Sequence, residues 1–208
     1  MLSPEQFFAF LLAAMLITAS PGPDNLMVLG FGISRGRTQG MVFGLGCALG
    51  CLSHTLLAAV GISGLIAASP VAFTVLKVAG GLYLIWLGVQ ALRSRGGASA
   101  STVDSAPVSL PRLFAKGLLA NAVNPKVVLF FFSFLPQFII AAHGNVALQT
   151  LQLGLTFTVQ AALLFGALGY FSGSIGQWLQ RRPRAGLWLD RIAGAVFVSL
   201  GIKLIAGR

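Results

Sequence analysis

Two short stretches carry residues whose types and spacing could do chemistry. They are "SPGPDN", Ser20 to Asn25, and "NAVNPK", Asn121 to Lys126. Each sets proline beside amide or charged side chains inside a long apolar run. Pro21, Pro23 and Pro125 lack an amide hydrogen, Gly22 relaxes the backbone, and a proline turns the residue before it away from helical dihedrals. A helix carrying either stretch must break there. Carbonyls ahead of the first break, around Thr18 to Ser20, lose their helical donors, and a new helix N-terminus begins behind it with Asp24 or Asn25 as N-cap. Freed carbonyls hold an ammonium and helix N-termini hold a carboxylate, so two such breaks together suit a zwitterion. The candidate binding residues are Ser20, Gly22, Asp24, Asn25, Asn121, Asn124 and Lys126, with Pro21, Pro23 and Pro125 as the helix breakers.

Asp24 is the carboxylate expected at membrane depth, where an ionisable group is costly enough to count as functional by default. It either caps its half-helix or also receives the substrate ammonium or a coupling proton. For Lys126 three roles stand open: pairing with Asp24, binding a substrate carboxylate, or snorkelling along a tilted helix. Spacing does not separate them. Cys47, Cys51 and His54 fall at i, i+4 and i+7, one helical face that could offer soft metal ligands. Gly36, Gly40, Gly44, Gly46 and Gly50 surround them, and small residues bring membrane helices together, so a packing face or a dimer contact competes with the metal reading. No fourth ligand is apparent, and no metal or cofactor is expected.

The elements that must hold these residues are membrane helices. Of 208 residues 56% are hydrophobic and 9% charged, against roughly 25% charged in a soluble domain. Runs long enough to cross about 30 Å of hydrocarbon can be laid out six times: Gln6 to Ile33, Arg37 to Ala67, Ala72 to Leu92, Leu113 to Ile140, Ala147 to Gly176 and Gly186 to Ala206. With no water at depth, such runs satisfy their amides as helices, whereas a membrane barrel needs short alternating strands. The fold class is an all-α polytopic membrane protein, one transmembrane domain over residues 1–208. Pro21 falls about 22 Å into the first span at 1.5 Å per residue, near mid-membrane.

The formal charge of +10 is confined to alternate connections. Arg35 and Arg37, then Arg93, Arg95, Arg112 and Lys116, then Arg181, Arg182, Arg184 and Arg191 flank the odd-numbered ones, while Ala67 to Val71 and Ala141 to Val146 hold no Lys or Arg. The positive-inside rule makes those odd connections cytoplasmic and places both termini outside, on a multi-pass protein of the bacterial inner membrane. Orientation accounts for the charges, so no nucleic-acid partner is expected. The first span carries Glu5 and no Lys or Arg, which suits an uncleaved helix rather than a signal peptide. "SRGGASASTVDSAPVSLP", residues 94–111, reads as a flexible cytoplasmic linker between repeat one, 1–93, and repeat two, 112–208.

The halves match in order. Ser20-Pro21 over Asn124-Pro125 brings Phe10 onto Phe114, and "KVAGGLY" (Lys77 to Tyr83) matches "RIAGAVF" (Arg191 to Phe197) in character throughout. Offsets of 104 and 114 require about ten extra residues in loops of the second half. Three spans per half make the second copy inverted, so Lys77 and Arg191 snorkel to opposite interfaces. A 3+3 inverted repeat with broken spans one and four points to alternating access.

These residues resemble the lysine exporter superfamily (LysE/RhtB), in its threonine/homoserine efflux branch. The similarity is carried by "SPGPDNLMVL", "GRTQGMVFGLGCALG", "KVAGGLYLIWLGVQALRS" and "NPKVVLFFFSFLPQF". It implies export of amino acids or related small metabolites, driven by proton entry. The leading reading is therefore a secondary exporter with an amino acid, a proton and the lipid bilayer as partners. The alternatives are a metal-cation exporter using Cys47, Cys51 and His54, and a membrane thiol-redox carrier, which would want one exposed cysteine in each half. No Ser/His/Asp set, phosphate loop or carboxylate pair supports an enzyme. His143 reads as a solvated loop residue, and Phe130, Phe131, Phe132 and Phe134 as rings packed on lipid and neighbouring helices, with pocket lining as the alternative.

Overall fold

In the computed structural model, residues 2–94 and 108–206 are described. Most of the expected linker, 95–107, lies outside them, while Leu110 and Pro111 already belong to a helix. The chain runs α1 (Pro4–Ala19), α2 (Pro23–Arg35), α3 (Arg37–Ala68), α4 (Pro70–Arg93), α5 (Leu110–Ala122), α6 (Pro125–Leu129), α7 (Val146–Tyr170), α8 (Ser172–Arg181) and α9 (Pro183–Ala206). Between α6 and α7 lie a π turn, Phe130–Phe134, and two short 3-10 turns. No strand occurs among the described residues. Proline opens α1, α2, α4, α5, α6 and α9 near its first turn, where a missing amide hydrogen costs nothing.

Among the described residues three helices are long and apolar enough to span a membrane, Arg37–Gly61, Thr74–Arg93 and Val146–Tyr170, and up to five spans result if each bent pair counts as one. The bent pairs are α1 with α2 and α5 with α6 and its continuation to Phe138. The sixth expected span, within α9, has the length but carries Arg184, Asp190, Arg191 and Lys203. The fifth departs from expectation too. It ends at Tyr170 instead of running to Gly176, because the chain turns at Phe171 and restarts as the separate helix α8. Ser172 Oγ donates to the Gly169 carbonyl at 2.7 Å and satisfies a carbonyl at that turn.

Helix α3 is the central post, packed along α5 and α7, and α4 lies along α9. Glycine makes both approaches. A Cβ added to Gly88 would meet the Gly194 carbonyl oxygen at 2.7 Å, and one on Gly194 would meet that of Gly88 at 2.7 Å; Gly81 and Gly201 repeat the reciprocal arrangement. On the other side a Cβ on Gly46 would overlap the Phe114 carbonyl, and one on Gly117 that of Phe43. The glycine face of α3 is thus spent on internal packing against α5 and α7. Gly117→Val should cost roughly 3 kcal/mol, at the upper end for overpacking, since backbone must move. The folded, monodisperse fraction in detergent should fall several-fold, whereas Gly166→Val, whose new Cβ meets nothing within 4 Å, should elute as the wild type does.

Rings fill the centre. Phe10, Phe130, Phe131 and Phe134 are fully buried, and Phe130 stacks within 5.1 Å of Phe157 and 5.3 Å of Phe134. The phenylalanine run therefore packs on neighbouring helices, with Phe132 only partly buried. At one end a clasp of polar groups joins α1 to residues 138–145 and α7. Gln6 Nε2 donates to the Phe138 carbonyl at 2.9 Å, Gln6 Oε1 faces His143 Nδ1 at 3.0 Å, and Gln149 exchanges hydrogen bonds with the Ile140 backbone. His143, expected to be merely solvated, is part of this clasp.

Candidate functional site

The two proline stretches break their helices as the sequence requires. The axis bends by 57° between α1 and α2 and by 49° between α5 and α6 with its continuation. At the first break the N-cap is Gly22, not Asp24 or Asn25, and both of those sit in the first turn of α2 with their side chains free for other partners. Pro23 at the first helical position moves the cap two residues ahead of Asp24. At the second break Asn124 is the N-cap, its Oδ1 accepting from the Lys126 amide at 3.0 Å. Helix α6 runs only five residues before the π turn, so its dipole is slight, and the cationic group at this break is the Lys126 side chain.

The breaks touch each other. A Cβ on Gly22 would lie 3.2 Å from Lys126 Nζ, so any side chain there would push that ammonium back by a few tenths of an ångström. Lys126 Nζ donates to the Ser20 carbonyl at 2.9 Å, the end of α1 that Pro21 and Pro23 have freed. Asn25 Nδ2 donates back to the Thr18 carbonyl at 2.8 Å, filling the other. Across the breaks, Asn121 Nδ2 donates to Asp24 Oδ2 at 2.8 Å. Asp24 is 4% exposed and Lys126 8%, so a carboxylate and an ammonium are both buried here. Asp24 accepts from a neutral group of the opposite break, and Lys126 donates to one. Lys126 also lies 5.2 Å above the Phe197 ring of α9.

Two cavities meet at this wall. The inner one, about 20 Å³, is lined by Asp24, Asn25, Asn121, Lys126 and the rings of Phe130 and Phe157. In a measure where one water needs roughly 10–15 Å³, it holds water but no amino acid. The outer one, about 850 Å³, opens between α2, α4, α6 and α9 and reaches Gly22, Asn124 and Lys126 from the other side. Its size falls in the ordinary range for a ligand cleft.

Every candidate named from sequence lies at this wall: Ser20 by its carbonyl, Gly22, Asp24, Asn25, Asn121, Asn124 and Lys126 by their contacts. Four contributors were not foreseen. Gln160 donates from Nε2 to the Thr18 hydroxyl at 2.8 Å, Phe157 and Phe165 close the inner cavity, and Asp190 lines the vestibule. Asp190 sits in the basic flank "RRPRAGLWLDR" and reads as one more interfacial charge; only its 7% exposure distinguishes it. Cys47, Cys51 and His54 do share a buried face. There Cys51 faces Asn121 Oδ1 at 3.4 Å and His54 Nε2 faces the Asn121 carbonyl at 3.2 Å, both acting as supports for Asn121. Among the described residues no three of His, Cys, Asp and Glu are gathered to hold a metal ion. Both cysteines are buried in one helix, away from the exposed pair that a thiol-redox carrier needs.

The family profile described as LysE type translocator matches residues 15–208. The chain belongs to this LysE family. Within it, the LysE chain is similar to a threonine efflux protein of Salmonella typhi, 33% identical over 211 residues that cover 97% of this chain and 98% of the relative. It is similar to a homoserine/homoserine lactone efflux protein of the same organism, 31% identical over 204 residues and 98% of both chains. An uncharacterized membrane protein of Vibrio cholerae serotype O1 is 31% identical over 203 residues, 97% of each. No solved structure matches. These relationships place the LysE protein in the threonine/homoserine-type branch and make it a transporter, not an enzyme.

Proposed function

We propose that the protein is a secondary exporter of a small amino acid or amino-acid derivative across the bacterial inner membrane. The observation that carries this reading is the pair of buried opposite charges, Asp24 and Lys126, each hydrogen-bonded to the other's helix break. A buried carboxylate and ammonium held apart by neutral donors and acceptors are complementary to a molecule bearing both signs. Lys126 on the Ser20 carbonyl already demonstrates the chemistry a freed carbonyl offers to an ammonium. Substrate ammonium goes to Asp24, Asn121 and the break carbonyls; substrate carboxylate goes to Lys126 and the first-turn amides of α2.

Export from the cytoplasm is supported by the names of the relatives, which are efflux proteins for threonine and for homoserine or its lactone. Proton entry through Asp24 supplies the driving force, because it is the titratable group that faces both the cargo and Lys126. The cycle is alternating access, the halves 1–93 and 112–208 rocking around the breaks. A two-fold relation between inverted halves would bring α3 against α7 and α4 against α9, and these are the two closest inverted pairings in the fold. In this reading α9 completes a sixth crossing, its charges near its ends and in the vestibule, and both termini face outward.

Inverted membrane vesicles should take up a subset of a panel of labelled amino acids, with threonine and homoserine included. Uptake should rise when the vesicle interior is acid and fall when the gradient is collapsed. Lack of any uptake across the panel, or uptake indifferent to the gradient, removes the reading or its proton coupling respectively.

A further inference from the structure

The vestibule contains a second buried carboxylate that the exporter reading does not use. The chain has four acidic residues. Glu5 is exposed and Asp104 lies outside the described residues, which leaves Asp24 and Asp190. Asp190 is 7% exposed and lines the outer cavity together with Lys126. Among the described residues its carboxylate takes one hydrogen bond, from the Ser94 hydroxyl at 2.6 Å. An ionised carboxylate has about four acceptor positions, so the Ser94 hydroxyl leaves acceptor capacity on a group that lines the cavity. The neighbouring Arg191 does not serve it, since its guanidinium lies over the Trp188 ring at 5.6 Å. A buried carboxylate met only by a hydroxyl is costly to keep unless a cation visits it.

Position gives the group its meaning. Ser94 caps the end of α4 and Asp190 lies in the second turn of α9, the end of the molecule that also bears Arg93, Arg182 and Arg184. By the positive-inside rule that end is cytoplasmic, where an exporter loads. Lys126 borders both cavities, with Asp24 in the inner wall and Asp190 in the outer. We propose that the vestibule is a loading station of two-point contact, in which Asp190 receives the substrate ammonium while Lys126 receives its carboxylate. The ammonium then exchanges Asp190 for Asp24 as the carboxylate stays on Lys126. The station rests on the exporter reading above, and it selects for molecules carrying both charges before the inner site closes on them.

The test uses the full-length carrier in proteoliposomes, with labelled threonine or homoserine, whichever the wild type moves, offered separately at each face. Asp190→Asn should raise the half-saturation concentration at the vestibule face by about tenfold or more, a loss of one ionic contact. At the opposite face it should change by less than about twofold, and the maximal rate should fall by less than about threefold. Asp190→Glu should restore most of the affinity. An unchanged value at the vestibule face, or an equal rise at both faces, overturns the station. A wild type that moves neither these nor any other amino acid of the labelled panel instead defeats the exporter reading, and the two failures are separate. If Asp190→Asn does not fold, Gln90→Cys on the vestibule wall decides: threonine or homoserine, whichever is moved, should protect it from a small methanethiosulfonate, and absence of protection overturns the station.

Discussion

Asp24→Asn carrier in liposomes should lose all concentrative transport driven by a pH gradient and fall to the level seen with no gradient. The replacement is isosteric, and its amide oxygen can still accept from Asn121 Nδ2, which spans 2.8 Å to Asp24 in the native site. Packing is therefore preserved and only the titratable charge is removed. Downhill exchange of the substrate should survive at reduced rate, because the break carbonyls and Lys126 remain. Gradient-driven accumulation equal to wild type would remove Asp24 from the coupling role and leave it as a structural acceptor for Asn121. The comparison is sharp because the other described carboxylates, Glu5 and Asp190, stand outside the inner cavity.

The second large effect belongs to Lys126. Lys126→Met keeps the length of the side chain and the backbone amide that Asn124 caps, but withdraws the ammonium from the Ser20 carbonyl and from any substrate carboxylate. Removing one partner of a buried charge contact costs about 2–5 kcal/mol, so half-saturation should rise by roughly 30-fold or more. Discrimination should collapse as well: the amino acid should lose its advantage over the corresponding amine that lacks a carboxylate. Lys126→Arg should not restore it fully, since a planar guanidinium fork does not reproduce the single-point contact that the Lys126 ammonium makes with the Ser20 carbonyl. Undiminished preference for the zwitterion in Lys126→Met would assign the carboxylate to the α2 amides alone.

The breaks were legible because proline acts locally: Pro21, Pro23 and Pro125 forbid the continuing helix whatever surrounds them. What the breaks hold was legible only in part. Asp24, Asn121 and Lys126 are conspicuous in apolar runs, yet that Asn121 rather than Lys126 holds Asp24 depends on how α5 leans against α3 through Gly46 and Gly117. The turn at Phe171 had no breaker residue to announce it. It is set by tertiary fit, where Gly32 of α2 and Gly40 of α3 press on Gly169 and Ser172. Asp190 was hidden by its neighbours, since a carboxylate among arginines at the end of a span looks like surface until α4 is seen to cover it. The six-span count exceeded what length and apolarity alone support among the described residues, because the sixth run, in α9, mixes in Asp190, Arg191 and Lys203.

Asp24 and Lys126, as ionised groups lining one small chamber, cancel in any electric field laid across the bilayer. Membrane voltage therefore has little grip on the empty carrier, or on one loaded with a zwitterion. A proton on Asp24 ends that balance and leaves one unmatched positive charge, on which 100 mV exerts about 2.3 kcal/mol when it crosses. Electrical work would thus enter the cycle only in the step that carries the proton.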